Sequence, residues 1–256
     1  MSFFGKMFAS IGIGSAKVDT VLANDKLTPG EEIKGKVVVK GGNVQQEIDE
    51  IYLSVVTFYE REVNDKKVKE ETVIGKYRLS ERFSINQNET QEIPFSFMLP
   101  IDTPVTLGKT KVWVQTGLDI KMAIDPADRD YIEVNAHPLM NAFLNTVTDL
   151  GFRLREVEVQ AAPRHIRGRL PFLQEFEFVP ISGEFRGRLD ELEVVFISIR
   201  PDQMDVLLQV DRRANNLGGL FSEMLNMDET NLKISVSKED IPYLKQKLEN
   251  LIRQYS

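Results

Sequence analysis

Apolar and polar residues alternate with a period of two through much of the first half of the chain. In the stretch LTPGEEIKGKVVVK, Ile33, Gly35, Val37 and Val39 are apolar or small, whereas Lys34, Lys36 and Lys40 take the even positions. The spacing predicts a strand with one buried and one wet face. Ile93, Phe95, Phe97 and Leu99 repeat it against Glu92, Pro94 and Ser96. Residues 51–59, IYLSVVTFY, are apolar on both faces and predict a central strand, and Lys111 to Gln115 continues the series. Turn signals separate these runs at Thr28-Pro29-Gly30, Gly41-Gly42-Asn43, Asn64-Asp65, Asn86 to Asn88 and Asp125-Pro126. Many short strands without a helical pattern between them argue an antiparallel sandwich.

The period changes after Asn135-Ala136-His137-Pro138. Residues 138–147 have helical spacing, and strands return at 153–160, 175–179, 192–199 and 204–210. Composition shifts at the same place: residues 1–135 hold 13 Lys and 4 Arg, residues 136–256 hold 4 Lys and 11 Arg. The expected organisation is a β-sandwich domain over 1–135, a smaller β-rich domain with short helices over 136–236, and an amphipathic helix over 237–256. Arg167-Gly168-Arg169-Leu170 is echoed by Arg186-Gly187-Arg188-Leu189, too short a match to establish duplication. Ser237 to Asp240 reads as a capping-box start for the terminal helix, with Pro242 tolerated in the first turn. Its stripe, Ile241, Leu244, Leu248, Leu251 and Tyr255, is narrow and suits another helix. These five are candidates for a seam between two copies of the chain in a homodimer; the alternative is docking onto the second domain of the same chain.

With 256 residues the chain can bury two modest cores. It has no cysteine, which removes disulfides, thiolate zinc sites and cysteine nucleophiles. The net charge of −7 disfavours general nucleic-acid binding, which wants a basic face. Phe3, Phe4, Met7, Phe8 and Ile11 give the N-terminus a short amphipathic face, interrupted by Gly5, Lys6 and Ser10 where a secretory segment would run on. That face keeps open a weak contact with a membrane surface. Lacking an uninterrupted apolar run of about 18 residues, the protein is expected to be cytoplasmic.

Little in the chain suggests catalysis. Asp125, Asp128 and Asp130 offer oxygens that a divalent cation would want, but a hairpin tip is solvated in the same way, and the glycine and distal glutamate of an EF-hand are missing. A metal-dependent hydrolase is the enzyme reading this leaves; no metal or other cofactor is expected. His137 and His165 have no serine elbow to serve, and Gly12 to Lys17 lacks the third glycine and the helix of a nucleotide loop. Arg153, Arg155, Arg164, Arg167 and Arg169 carry more weight, because guanidinium groups pair bidentately with anions and Gly168 admits close approach. They are candidate partner-binding residues; the plainer reading pairs them along strand edges with Glu156, Glu158, Glu175 and Glu177. Leu217, Leu220, Phe221, Met224 and Leu225 follow a Gly-Gly pair or flank it at helical spacing. Leu220, Phe221 and Met224 are further candidates for protein docking, against simple packing on a sheet.

Two motifs carry a family likeness. Pro29-Gly30-Glu31 followed by Ile33, Gly35, Val37 and Val39 resembles the early strand of arrestin-like domains, and Ile93 to Pro100, IPFSFMLP, resembles their Pro-Phe-x-Phe-x-Leu-Pro strand end. Residues 113–130, 163–178 and 199–205 are similar to the bacterial sporulation-control protein family, over nearly the whole chain. The resemblance implies a mainly β fold, an arrestin-like antiparallel sandwich followed by a smaller β-rich part and a C-terminal helix. It also implies a regulatory role at the onset of sporulation, exercised through protein partners and without chemistry of its own. No phosphate-sensing residue transfers, since no matching motif is present.

Overall fold

The structure is a computed structural model that describes residues 16–64, 66–120, 127–211 and 231–255. In chain order the strands are β1 (Lys17–Leu22), β2 (Lys26–Leu27), β3 (Glu32–Lys40), β4 (Gln46–Val63), β5 (Lys66–Ser80), β6 (Phe83–Ile85), β7 (Thr90–Met98), β8 (Val112–Ile120) and β9 (Ala127–Val134). After helix α1 (Pro138–Asp149) come β10 (Phe152–Ala161), β11 (Phe172–Pro180), β12 (Glu191–Ile199), β13 (Gln203–Asp211) and β14 (Asn231–Ser237). A 3-10 turn at Lys238–Tyr243 leads into α2 (Leu244–Gln254). The fold is mainly β, with a C-terminal helix. Two compact units draw on the described residues within 1–57, 73–103 and 111–135, and within 58–72, 104–110 and 136–256. The segments 58–72 and 104–110 thus belong with the second unit, although their composition matches the first.

In the first unit, β1, β3 and β7 form a three-stranded antiparallel sheet, and β4, β8, β9 and β2 lie in a second. The alternation read from sequence sets their faces: Ile33, Val37, Val39, Phe95 and Phe97 are buried, while Lys34 and Ser96 are exposed. Gly35 lies opposite Phe95, and a Cβ there would stand 2.3 Å from the Val21 carbonyl oxygen and 2.7 Å from the Phe95 ring. Only glycine lets that ring lie across the strand. Pro94 interrupts β7, which ends its sheet, where a missing N–H leaves no ladder bond unmade. Between the sheets the Thr20 and Thr116 hydroxyls hydrogen-bond each other, and the Thr20 N–H donates to Asp128 Oδ2 at 2.9 Å.

The second unit is an antiparallel meander, β10-β11-β12-β13-β14, with both helices packed on one face. Phe143, Phe176, Phe178, Leu192, Val194 and Val206 are buried there together with Leu244, Leu248 and Ile252 of α2. Phe196 meets Phe143 and Phe176 edge-on, at centroid distances of 5.6 and 5.5 Å, a favoured aromatic geometry. His137 caps α1, its Nδ1 accepting from the Leu139 N–H at 3.4 Å. At the other end Gly151 takes φ +95°, and a Cβ would stand 2.4 Å from the Ser182 carbonyl oxygen. Gln174, 8% exposed, accepts from the Val105 N–H and donates to the Val105 carbonyl, tying 104–110 to β11.

The apolar stripe of the terminal helix is occupied within its own chain. Leu244 and Leu248 are buried, Leu251 and Tyr255 lie half-buried against the same core, and only Ile241, on the 3-10 turn, is exposed. Leu244 and Leu248 are accordingly not available to a seam between chains. Ile252, absent from the stripe read in sequence, is fully buried, because it follows Leu244 and Leu248 by eight and four residues on the same face of one helix.

Candidate functional site

The five arginines singled out in sequence fall at two ends of the β10–β11 hairpin. Arg155 and the loop that starts after Ala161 are separated by about 20 Å of strand at some 3.3 Å per residue. Arg155 pairs with Glu177 and with Glu191, the latter at 2.6 Å, and so joins three neighbouring strands. Arg153 is exposed on β10. The adjacent glutamates are neutralised by lysines: Lys109 reaches Glu156 at 2.9 Å and Lys67 reaches Glu158 at 3.2 Å. The Lys109 ammonium holds the Glu156 carboxyl below its ordinary pKa. Sequence proximity suggested arginine partners for Glu156 and Glu158; the partners that the fold supplies come from segments about 50 and 90 residues upstream, which only tertiary contact brings close.

Arg164, Arg167 and Arg169 stand together on the loop between β10 and β11. The loop is closed by a hydrogen bond from the Ala162 N–H to the Pro171 carbonyl (2.9 Å) and turned by one from Ile166 to Pro163 (3.1 Å). Ala162 and Ile166 pack on a small apolar cluster of Leu173, Val195 and Leu207, and Leu170 is buried. With these residues turned inward, Arg164, His165, Arg167 and Arg169 are all exposed. Two prolines and three inward-turned residues restrict the loop, so its cationic side chains project from a fixed base.

Tyr59 and Arg61, far away in sequence, extend the site. The Tyr59 ring lies 6.1 Å from that of Phe172, and its hydroxyl donates to Glu70 Oε2 at 3.0 Å, as does Arg61 Nε at 2.5 Å. Burial, reinforced by Glu70, pushes the Tyr59 phenol above its usual pKa, against the opposing influence of Arg61 and Arg167. Hydrogen bonds from Tyr59 and Arg61 hold the Glu70 carboxyl below its own. Nothing local in sequence marks this association, which spans more than 100 positions. The echoed Arg186 to Leu189 loop lies at the opposite end of β11 and has a different backbone, Gly187 taking φ +79° while Gly168 stays outside the left-handed region.

The remaining candidates are distributed differently. Asp128 and Asp130 sit on β9, not on a hairpin tip; Asp128 binds the β1 backbone and Asp130 is buried. Asp125 lies outside the described residues, as do Leu217, Leu220, Phe221, Met224 and Leu225 and the N-terminal Phe3, Phe4, Met7, Phe8 and Ile11. Among the described residues no group of three histidine or acidic side chains is placed to hold a metal ion, and no helix is long and apolar enough to cross a membrane.

Residues 4–214 match the Spo0M family, described as SpoOM protein. The sporulation-control protein spo0M of Bacillus subtilis (strain 168) is 44% identical over 259 residues, covering all of both chains. The crystal structure of Spo0M from Bacillus subtilis superimposes with a TM-score of 0.89 at 43% identity, covering 95% of this chain and all of that one. With fold, sequence and full-length coverage in agreement, the chain belongs to the Spo0M family.

Proposed function

We propose that this protein is a non-enzymatic regulator of sporulation that acts by binding protein partners. The observation that carries the reading is the 44% identity, over the entire length of both chains, with a sporulation-control protein. The agreement of backbone with a sporulation-control protein's structure, at a TM-score of 0.89, supports the same reading. The exposed basic loop at 162–171, fixed at its base and open at its tip, is the kind of feature a partner-binding protein presents. The test is complementation. In a Bacillus subtilis strain lacking its own spo0M, this chain should restore the timing and yield of spores; failure to do so while the protein accumulates to the level of the native one would refute the reading.

A further inference from the structure

We infer that two copies of this chain pair through the outer edge of β7, antiparallel and centred on Ser96, so that the three-stranded sheet continues across a two-fold axis. β7 bonds to β3 on one side, and among the described residues no strand bonds to it on the other. The bonds at its two ends fix which groups face outward: the Leu99 N–H donates to the Glu31 carbonyl, and the Gly41 N–H to the Glu89 carbonyl. Odd-numbered residues therefore turn their backbone groups toward β3, while Glu92, Pro94, Ser96 and Met98 turn theirs to the open edge. That edge has two defects as a pairing surface. Pro94 supplies no N–H, and the Met98 carbonyl already accepts from the Tyr77 hydroxyl at 2.9 Å. An unrelated strand laid here would leave a carbonyl without a donor opposite Pro94 and aim an N–H at an occupied carbonyl opposite Met98.

A second copy cancels both defects. With Ser96 facing the partner's Ser96, Pro94 falls opposite the partner's Met98, so the residue that has no N–H to give meets the carbonyl that needs none. The Ser96 residues then exchange their backbone bonds, and each Met98 N–H reaches the partner's Pro94 carbonyl. Centring the axis on Pro94 removes the central bonds, and centring it on Met98 aims both N–H groups at occupied carbonyls. The side chains fit the same register. On the inner face Phe95 and Phe97, 7% and 8% exposed at the edge, become cross-strand neighbours of the partner's Phe97 and Phe95. On the outer face Met98, 55% exposed, is covered by the partner's Pro94. Like charges do not meet across the seam: Glu92 lies opposite the partner's Pro100. That carbonyl already accepts from the Thr103 N–H at 3.0 Å, which ends the pairing.

The chain has no cysteine, so single cysteines introduced into it report the register. Ser96→Cys sets two thiols directly opposite, with Cα atoms about 5.5 Å apart and within disulfide reach, and should give a cross-linked dimer under mild oxidation. Met98→Cys carries an exposed thiol that stands about 14 Å along the strand from its counterpart, and should stay uncross-linked. Without oxidation, sedimentation of the full chain from about 10 μM to about 1 mM should show a reversible monomer–dimer equilibrium, weak as a small interface requires. Ser96→Pro removes the central donors at a position that, like Pro94, makes no bond to β3. It should sediment as a monomer throughout, with little change in melting temperature. Tyr77→Phe keeps the stack on Phe97 but frees the Met98 carbonyl, which the seam then buries opposite a proline, so dimerisation should weaken about tenfold. Adding Pro94→Ala returns the missing donor and should restore it. This pair of changes leaves the β3 ladder intact and carries the test if Ser96→Pro does not fold. A wild type that is monomeric throughout, equal cross-linking at both cysteines, dimerisation untouched by Ser96→Pro, or a Tyr77→Phe loss that Pro94→Ala does not recover would overturn the assignment.

Discussion

Gln174 uses a side chain as a length of strand. Its carboxamide both donates to and accepts from Val105 and also donates to Thr110 Oγ1 at 3.1 Å, satisfying buried backbone groups that no neighbouring strand reaches. Gln174→Leu keeps the volume but strands the Val105 N–H, while the Val105 carbonyl keeps its bond from the Leu107 N–H at 2.9 Å, and should lower unfolding free energy by about 1–3 kcal/mol. Gln174→Glu retains an acceptor for the N–H and loses the donor, so urea titrations should place it below the wild type as well; a Leu variant with an unchanged midpoint would show that water replaces the side chain. His137 makes a second residue-scale prediction. Burial first, then the nearby Lys238, holds its imidazole below the ordinary value, with Asp202 opposing. A depressed pKa means the unfolded chain takes up the proton more readily, so this contribution to stability is fully present above about pH 6.5 and is lost as pH falls through the folded-state value. Protonation at Nδ1 also removes the acceptor that caps α1. His137→Asn keeps a capping oxygen and cannot titrate, so its melting temperature should fall less between pH 7.5 and 5.5 than that of the wild type; equal falls would assign the pH dependence to other groups.

Among the elements, legibility followed burial contrast. β3 and β7 alternate so cleanly that their faces could be written from sequence, and Phe95 and Phe97 are buried as that parity requires. Phe95→Ala should therefore cost about 3–5 kcal/mol and Ser96→Ala well under 1; thermal melts that reverse this order would mean the register is displaced by one residue. β5 was not legible. Of its fifteen residues only Ile74 is fully buried, while Val68 and Val73 are exposed, so charged positions drown any period of two. β14 shows the same alternation as β3, in Leu232, Ile234 and Val236, but over three apolar positions directly before a capping sequence, where the helix signal dominates. The basic tip was visible as a run of arginines, whereas its neighbours Tyr59 and Arg61 arrive through pairing of distant strands, which no local window contains. Terminal strands are blunted by physical devices that sequence shows only in part: Pro94 in β7 was readable, but the Lys247 ammonium on the Ser235 carbonyl of β14, at 3.2 Å, was not.

For the whole molecule, the terminal helix decides whether the second unit is complete within one chain. A helix of eleven residues is marginal in water on its own, so its apolar face must be covered by something. Here the cover is internal: Leu244, Leu248 and Ile252 lie in the same core as Phe143 of α1 and Phe178 of β11, each at 1% exposure or less. The contact is further fixed at the surface by Arg253, which binds Glu184 through two nitrogens at 2.9 Å and so ties the last turn of α2 to the loop after β11. Leu248→Ala removes buried carbons from a close-packed site and should lower stability by about 2–5 kcal/mol, a large share of the roughly 5–15 kcal/mol that holds a domain together. Ile241→Ala, on the exposed side, should change it by about 0.5 kcal/mol or less. Sedimentation at tens of micromolar, run beside urea titration, distinguishes this arrangement from a seam between chains. An internal face gives Leu248→Ala a lower midpoint and the same mass as wild type, whereas a shared seam gives a variant of half the mass. The second outcome would mean that α2 leaves its own core to pair with another subunit, and that the unit built from the C-terminal half is finished only on assembly.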